Sequence, residues 1–130
     1  GATGVNTFVA EVIQLLKGHF TSSLGGISPV PLPPSATFPY VTVQEITVKE
    51  VEHLTGLSGV QQTIIQVNVW AKDFESAGTV RDSAKLYLCG FSGTAGSRVI
   101  QGVNPVVDSM LHDGVRSLHQ GVTRVMVTWG

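Results

Sequence analysis

Chemistry in this chain would have to be assembled from few parts. Cys89, with His112 or His119 and Asp108, supplies the residue types of a nucleophile, a base and an orienting carboxylate. Cys89, however, falls inside a predicted helix and not at the helix N-terminus that would lower a thiol pKa, so a small packing residue is the better reading. The four histidines, His19, His53, His112 and His119, lack metal-ligand spacing such as His-x-x-x-His. Residues 93–97 read Gly-Thr-Ala-Gly-Ser, glycine-rich but without the lysine and helix start of a phosphate loop. Glu45, Glu50 and Glu52 lie in or beside a predicted strand, and their spacing does not define a pair of carboxylates for acid–base work. The expectation is a protein that is not an enzyme and needs no cofactor or metal.

Bulk composition points the same way. A chain of 130 residues with 42% hydrophobic content can bury the core of one domain, here residues 1–130. Charged residues make up only 13%, low for a freely soluble monomer, which suggests that a partner covers part of the surface. The formal net charge is -1 and the basic residues are scattered, which argues against specific nucleic-acid binding. A single cysteine rules out an internal disulfide framework. No apolar run approaches the roughly 20 residues of a membrane helix, and no secretory signal is visible, so an intracellular origin is expected.

The elements organise around residues 63–91. Ile65, Val67, Val69 and Ala71 alternate with Gln66, Asn68 and Trp70, which predicts a strand with one buried face. From Asp73 the period changes. Phe74, Ala77, Val80, Ala84, Tyr87, Leu88 and Phe91 recur at three and four, one stripe of an amphipathic helix capped by Asp73 and closed near Gly90. Residues 5–17 predict a first helix, with Val5, Phe8, Val9, Val12, Ile13, Leu15, Leu16 and Phe20 on its buried face. Residues 40–49 predict a strand with a bulge near Gln44-Glu45 that returns Ile46 and Val48 to the core beside Val41 and Val43. This strand forms an antiparallel hairpin with residues 63–71. Residues 98–103 and 106–111 predict a third strand interrupted at Pro105, and residues 118–129 a fourth. The predicted fold is α+β: a mostly antiparallel sheet of about four strands, two helices on one face, order α-β-β-α-β-β.

Residues 21–39 differ in kind. They hold Pro29, Pro31, Pro33, Pro34 and Pro39, five of the six prolines, so neither helix nor central strand is expected there. The segment reads as a linker or arm, and Val30, Leu32, Phe38 and Tyr40 are the residues through which it would grip a neighbouring subunit or another partner; the alternative is that it wraps its own domain, with Val30, Leu32 and Phe38 filling a groove. The second helix offers another candidate contact, the off-core stripe of Thr79, Ser83, Leu86 and Gly90.

Taken in order, these segments resemble a known family, the phage tail completion proteins or tail terminators. The resemblance rests on the N-terminal amphipathic helix before a Pro-rich loop, on Phe38-Pro39-Tyr40-Val41-Thr42-Val43, and on the strand ending Trp70-Ala71-Lys72-Asp73-Phe74. Gln101-Gly102-Val103 before Asp108 and a closing strand that ends on Trp129 complete it. It implies a structural virion protein at the head–tail junction, assembled in the host cytoplasm. Such a protein forms a ring with copies of itself, usually a hexamer, on the head-proximal end of the tail tube. It ends polymerisation of the tail tube protein and meets the head-tail connector or stopper protein; the genome passes through the ring. The alternatives are another connector ring protein (adaptor or stopper) and a peptide-binding interaction module built on the Pro-rich loop.

Overall fold

The computed structural model describes residues 4–20, 24–30, 32, 34, 37–50, 61–95, 98–114 and 117–129. Its elements in order are α1 (Gly4–Phe20), β1 (Gly26–Pro29), β2 (Tyr40–Glu50), β3 (Gln61–Ala71), α2 (Phe74–Cys89), β4 (Gly93–Ala95), β5 (Arg98–Asp113) and β6 (Leu118–Trp129). The strands form one sheet in the order β1-β2-β3-β6-β5-β4. Every pairing is antiparallel except β1 with β2, so the α+β expectation holds, with six strands where about four were predicted.

The alternation in β3 sets the layers. Ile65, Val67, Val69 and Ala71 are buried on one face, opposite Val41 and Val43 of β2 and Val125 and Val127 of β6. Both helices lie on that face. Val9, Val12, Ile13, Leu16 and Phe20 of α1 and Ala84 and Leu88 of α2 share a single core cluster with those valines. Burial of such aliphatic side chains is the dominant favourable term in folding, roughly 1.5–3 kcal/mol for each one fully buried.

Helix α2 begins as its sequence predicts. The Asp73 carboxylate accepts a hydrogen bond from the Ser76 amide at 2.8 Å, and the Gly90 amide closes the last turn on the Leu86 carbonyl. The helix then packs close to the sheet: a Cβ on Gly121 would lie 2.7 Å from the Ala77 carbonyl oxygen. That approach explains the glycine opposite Val69. Phe74 departs from the expected stripe. It is exposed, at the first position of α2, and its ring stands edge-on to His119 at 6.0 Å.

Two short edge strands were not foreseen. β1 sits inside the Pro-rich segment and pairs in parallel with the start of β2; the Gly25 amide bonds the Pro39 carbonyl at 2.7 Å and the Val30 amide the Val43 carbonyl at 3.3 Å. β4 occupies the Gly-Thr-Ala of the glycine-rich run at 93–97 and pairs with Arg98–Ile100. The strand predicted in two pieces is continuous. β5 runs through Pro105 with irregularities between Ile100 and Gly102 and between Pro105 and Val107. Proline is tolerated there because an edge strand does not need every amide as a donor. The β2 bulge falls between Glu45 and Thr47, close to its predicted place, and does half of what was expected: Val48 comes level with Thr63, in register with the buried face of β3, whereas Ile46 is the extra residue and is exposed.

Candidate functional site

The residues with chemical potential are dispersed by the fold. His119 meets Phe74 at the start of α2, whereas Cys89 is its last residue, about 22 Å away at 1.5 Å per residue. Burial pushes the Cys89 thiol up, against a smaller opposing effect of Lys85. This is the reverse of what a nucleophile needs. Asp108 is engaged elsewhere. Its carboxylate accepts bonds from Lys85 Nζ at 2.6 Å and Thr123 Oγ1 at 2.7 Å, fastening α2 to β5 and β6. Partial burial raises the Asp108 pKa, but the Lys85 and Thr123 bonds outweigh it and the net shift is downward. The same bond raises the Lys85 pKa. His112 and His119 do come together across β5 and β6, with ring centroids 4.7 Å apart. Among the described residues no group of three or more His, Cys, Asp or Glu is placed to hold a metal ion, and His53 and Glu52 lie outside them.

What the fold builds instead is surface. The sheet face away from the helices carries a web of polar side chains, amides for the most part. Asn68 stands at its centre. Its Oδ1 accepts from Gln66 Nε2 at 2.8 Å and Gln120 Nε2 at 3.0 Å; its Nδ2 donates to Thr42 Oγ1 at 3.3 Å and Gln44 Oε1 at 3.4 Å. Trp70 Nε1 donates to the same Thr42 hydroxyl at 3.1 Å, and Arg124 Nε to Gln66 Oε1 at 2.7 Å. All four hydrogen-bonding positions of the Asn68 amide are thus used. Asn68 and Thr42 are fully buried although no helix lies over them among the described residues. The alternation of β3 assigns Gln66, Asn68 and Trp70 to this face, but alternation alone carries no sign that they bond one another.

The predicted contact residues fall in two places. On α2, Leu86 points away from the sheet and is 73% exposed; Thr79 and Gly90 are also exposed. Ser83 is turned toward α1, where its Oγ lies 3.0 Å from His19 Nε2, and the His19 ring stacks on Tyr87 at 4.4 Å. In the Pro-rich segment, Tyr40 is held within its own chain: its hydroxyl donates to Ser28 Oγ at 2.9 Å and its ring fills the space a Cβ on Gly26 would need. Leu24 and Ile27 pack against the core, so part of this segment belongs to the sheet. Leu32 and Phe38 are half-buried and Val30 is exposed; residues 31, 33, 35 and 36 lie outside the described set. Among the described residues no helix is long and apolar enough to cross a membrane.

The fold is thus one helix-backed sheet on which, among the described residues, the ionisable groups are dispersed and apolar side chains such as Leu86 and Leu111 stay exposed. The chain matches the family of the tail completion protein gp17 over residues 10–129 and belongs to that family, as a structural protein of the virion tail. In fold it is similar to a chain in the solved virion of a native gene transfer agent particle, with a TM-score of 0.67 and 18% sequence identity over 92% of each chain. No curated protein sequence matches it.

Proposed function

We propose that copies of this chain assemble as a closed ring, a hexamer in the usual form of the family it resembles. The ring sits on the head-proximal end of the tail tube, ends tube polymerisation and offers its other side to the head-side connector. The observation that carries this reading is the placement of exposed apolar side chains on a chain with few charges. A tail protein standing alone in water would expose Leu86, Val107 and Leu111 to no purpose, whereas a ring subunit covers them. The stripe of Thr79, Leu86 and Gly90 on α2, with Ser83 at its α1 border, is proposed as one contact between copies. Val30 and Leu32 are proposed to reach a neighbouring subunit or the tube.

Electron microscopy of the purified chain in negative stain tests the assembly: closed rings are expected, and a field of monomers at high concentration contradicts it. Leu86→Glu keeps the fold, since the side chain is already exposed, but it places an unpaired charge in the proposed contact. The expected outcome is a loss of oligomer mass by light scattering with an unchanged circular dichroism spectrum.

A further inference from the structure

Among the described residues the sheet has two incompletely covered edges. β1 covers β2 only over Tyr40–Val43; beyond Val43 no described strand lies beside it. β4 covers β5 only over Arg98–Ile100, and no described strand lies outside the remainder of β5. These edges also collect the exposed apolar side chains. Eight large hydrophobics are exposed among the described residues. Four of them are on β5, with Val106, Val107 and Leu111 on the part β4 leaves uncovered and Val99 beside β4, and two more, Val30 and Ile46, flank the β2 edge. A long, apolar, unpaired edge is normally avoided, because it pairs with any available strand.

The two edges match one another in direction and in height. β2 is antiparallel to β3, β3 to β6 and β6 to β5, so β5 runs opposite to β2. A second copy rotated about an axis along the strands keeps that sense, and its β2 would continue the antiparallel order beside β5 of the first. The registers Gln44↔Gln66, Gln66↔Arg124 and Arg124↔Val107 put Gln44 and Val107 at one level, and Lys49↔Gln62, Gln62↔Thr128 and Thr128↔Gly102 do the same for Lys49 and Gly102. The uncovered part of β2 therefore lies level with an uncovered part of β5. Beside the β2 edge, on the helix side, a groove of about 660 Å³ is lined by Val9, Ile13, Val30 and Val43, among others. It is open to receive apolar side chains arriving with the new strand. The register of β5 shifts between Pro105 and Val107, and such irregularities restrict an edge to a partner shaped to it.

We propose that the ring contact includes, besides the α2 stripe, a β-sheet junction between copies, with the β5 edge of one subunit paired to the β2 edge of the next. The inference rests on the ring reading above and names two further surfaces that make the ring. The contact is heterologous: one subunit's β5 always meets the other's β2, the arrangement that closes into a ring when the rotation closes. The joined sheets carry all helices on one side and all copies of the Asn68 amide web on the other.

Engineered cysteines test the junction in the full chain with Cys89→Ser. Gln44→Cys with Val107→Cys, and separately Gln44→Cys with Leu111→Cys to allow for stagger, place thiols on both edges. Within one chain Gln44 and Val107 are three strand spacings apart, about 14 Å, too far for a disulfide. Mild oxidation is expected to move most of the chain into covalent multimers that reductant collapses to monomer. In the wild type, light scattering gives the ring mass. Val107→Lys with Leu111→Lys should reduce that mass to the monomer's while circular dichroism is unchanged. A ring that persists in the lysine variant, with no multimers from either cysteine pair, overturns the junction and leaves the ring reading standing. A wild-type chain that is monomeric throughout, with no multimers, overturns both.

Discussion

The two faces of the central sheet bury their residues by different means. On the helix side Val67 and Val69 are covered by a second layer and need only fit. On the other side Asn68 and Thr42 are covered by the side chains beside them, and each polar atom must find a partner. The first face draws its stability from area removed from water, the second from completeness of a hydrogen-bond network. The difference predicts how each face fails. The helix side tolerates apolar exchange of similar volume and no charge, whereas the amide side is sensitive to loss of any one member.

The sharpest break in that comparison is a charge on the helix side. Val69→Asp puts a carboxylate with no partner into a fully buried site, at a cost comparable with the whole stability of a typical domain, about 5–15 kcal/mol. Loss of the cooperative melt by circular dichroism is expected. Leu111→Asp, on the exposed β5 edge, should melt near wild type. Equal melts for the two variants would mean that the face assignment is wrong.

Smaller, and on the other side, is Asn68→Ala. It leaves Gln66, Gln120 and Thr42 short of a partner and should cost about 1–3 kcal/mol in urea unfolding. A change within error would mean that water replaces the amide freely and that the face is less closed than its burial indicates.

Much of this was legible in the sequence, and what was not has a common cause. β3, α1, α2 and β6 carry a period over ten or more residues, and each element lies within a few residues of its expected bounds. The cap at Asp73 and the close at Gly90 were readable from local chemistry alone. β1 and β4 have four and three residues, too short for any period, and exist only because β2 and β5 offer edges to them. Pro105 reads as a break in sequence, yet a bulge lets β5 pass through it. Ile46 looks like a core residue until the bulge is placed one position later. The amide web is likewise non-local: Thr42, Asn68 and Gln120 are joined by register, and register is not written in any one segment.

The mildest test separates ionic fastening from both faces. The Asp108 carboxyl has its pKa lowered by its bonds to Lys85 and Thr123, against the raising effect of burial; Asp73 has its own lowered mainly by the Ser76 amide. A carboxyl with a depressed folded pKa adds stability that is present above its unfolded value, in the ordinary aspartate range, and is lost as pH falls through the folded pKa. Thermal melts should therefore hold steady down to about pH 5 and decline below about pH 4. Asp108→Asn should flatten part of that decline. An unchanged slope in the variant would show that the Lys85–Asp108 bond contributes nothing to acid sensitivity.

Function depends most directly on what this chain does to a growing tail tube. Purified chain added to polymerising tail tube protein of the same virion should bind one end of each tube and hold tube length constant after addition. Tubes would be measured by electron microscopy, with and without the chain. Short tubes, each with a ring at one end only, are the predicted result. Tubes that keep growing at the control rate, with no density at either end, would contradict the assignment as a terminator.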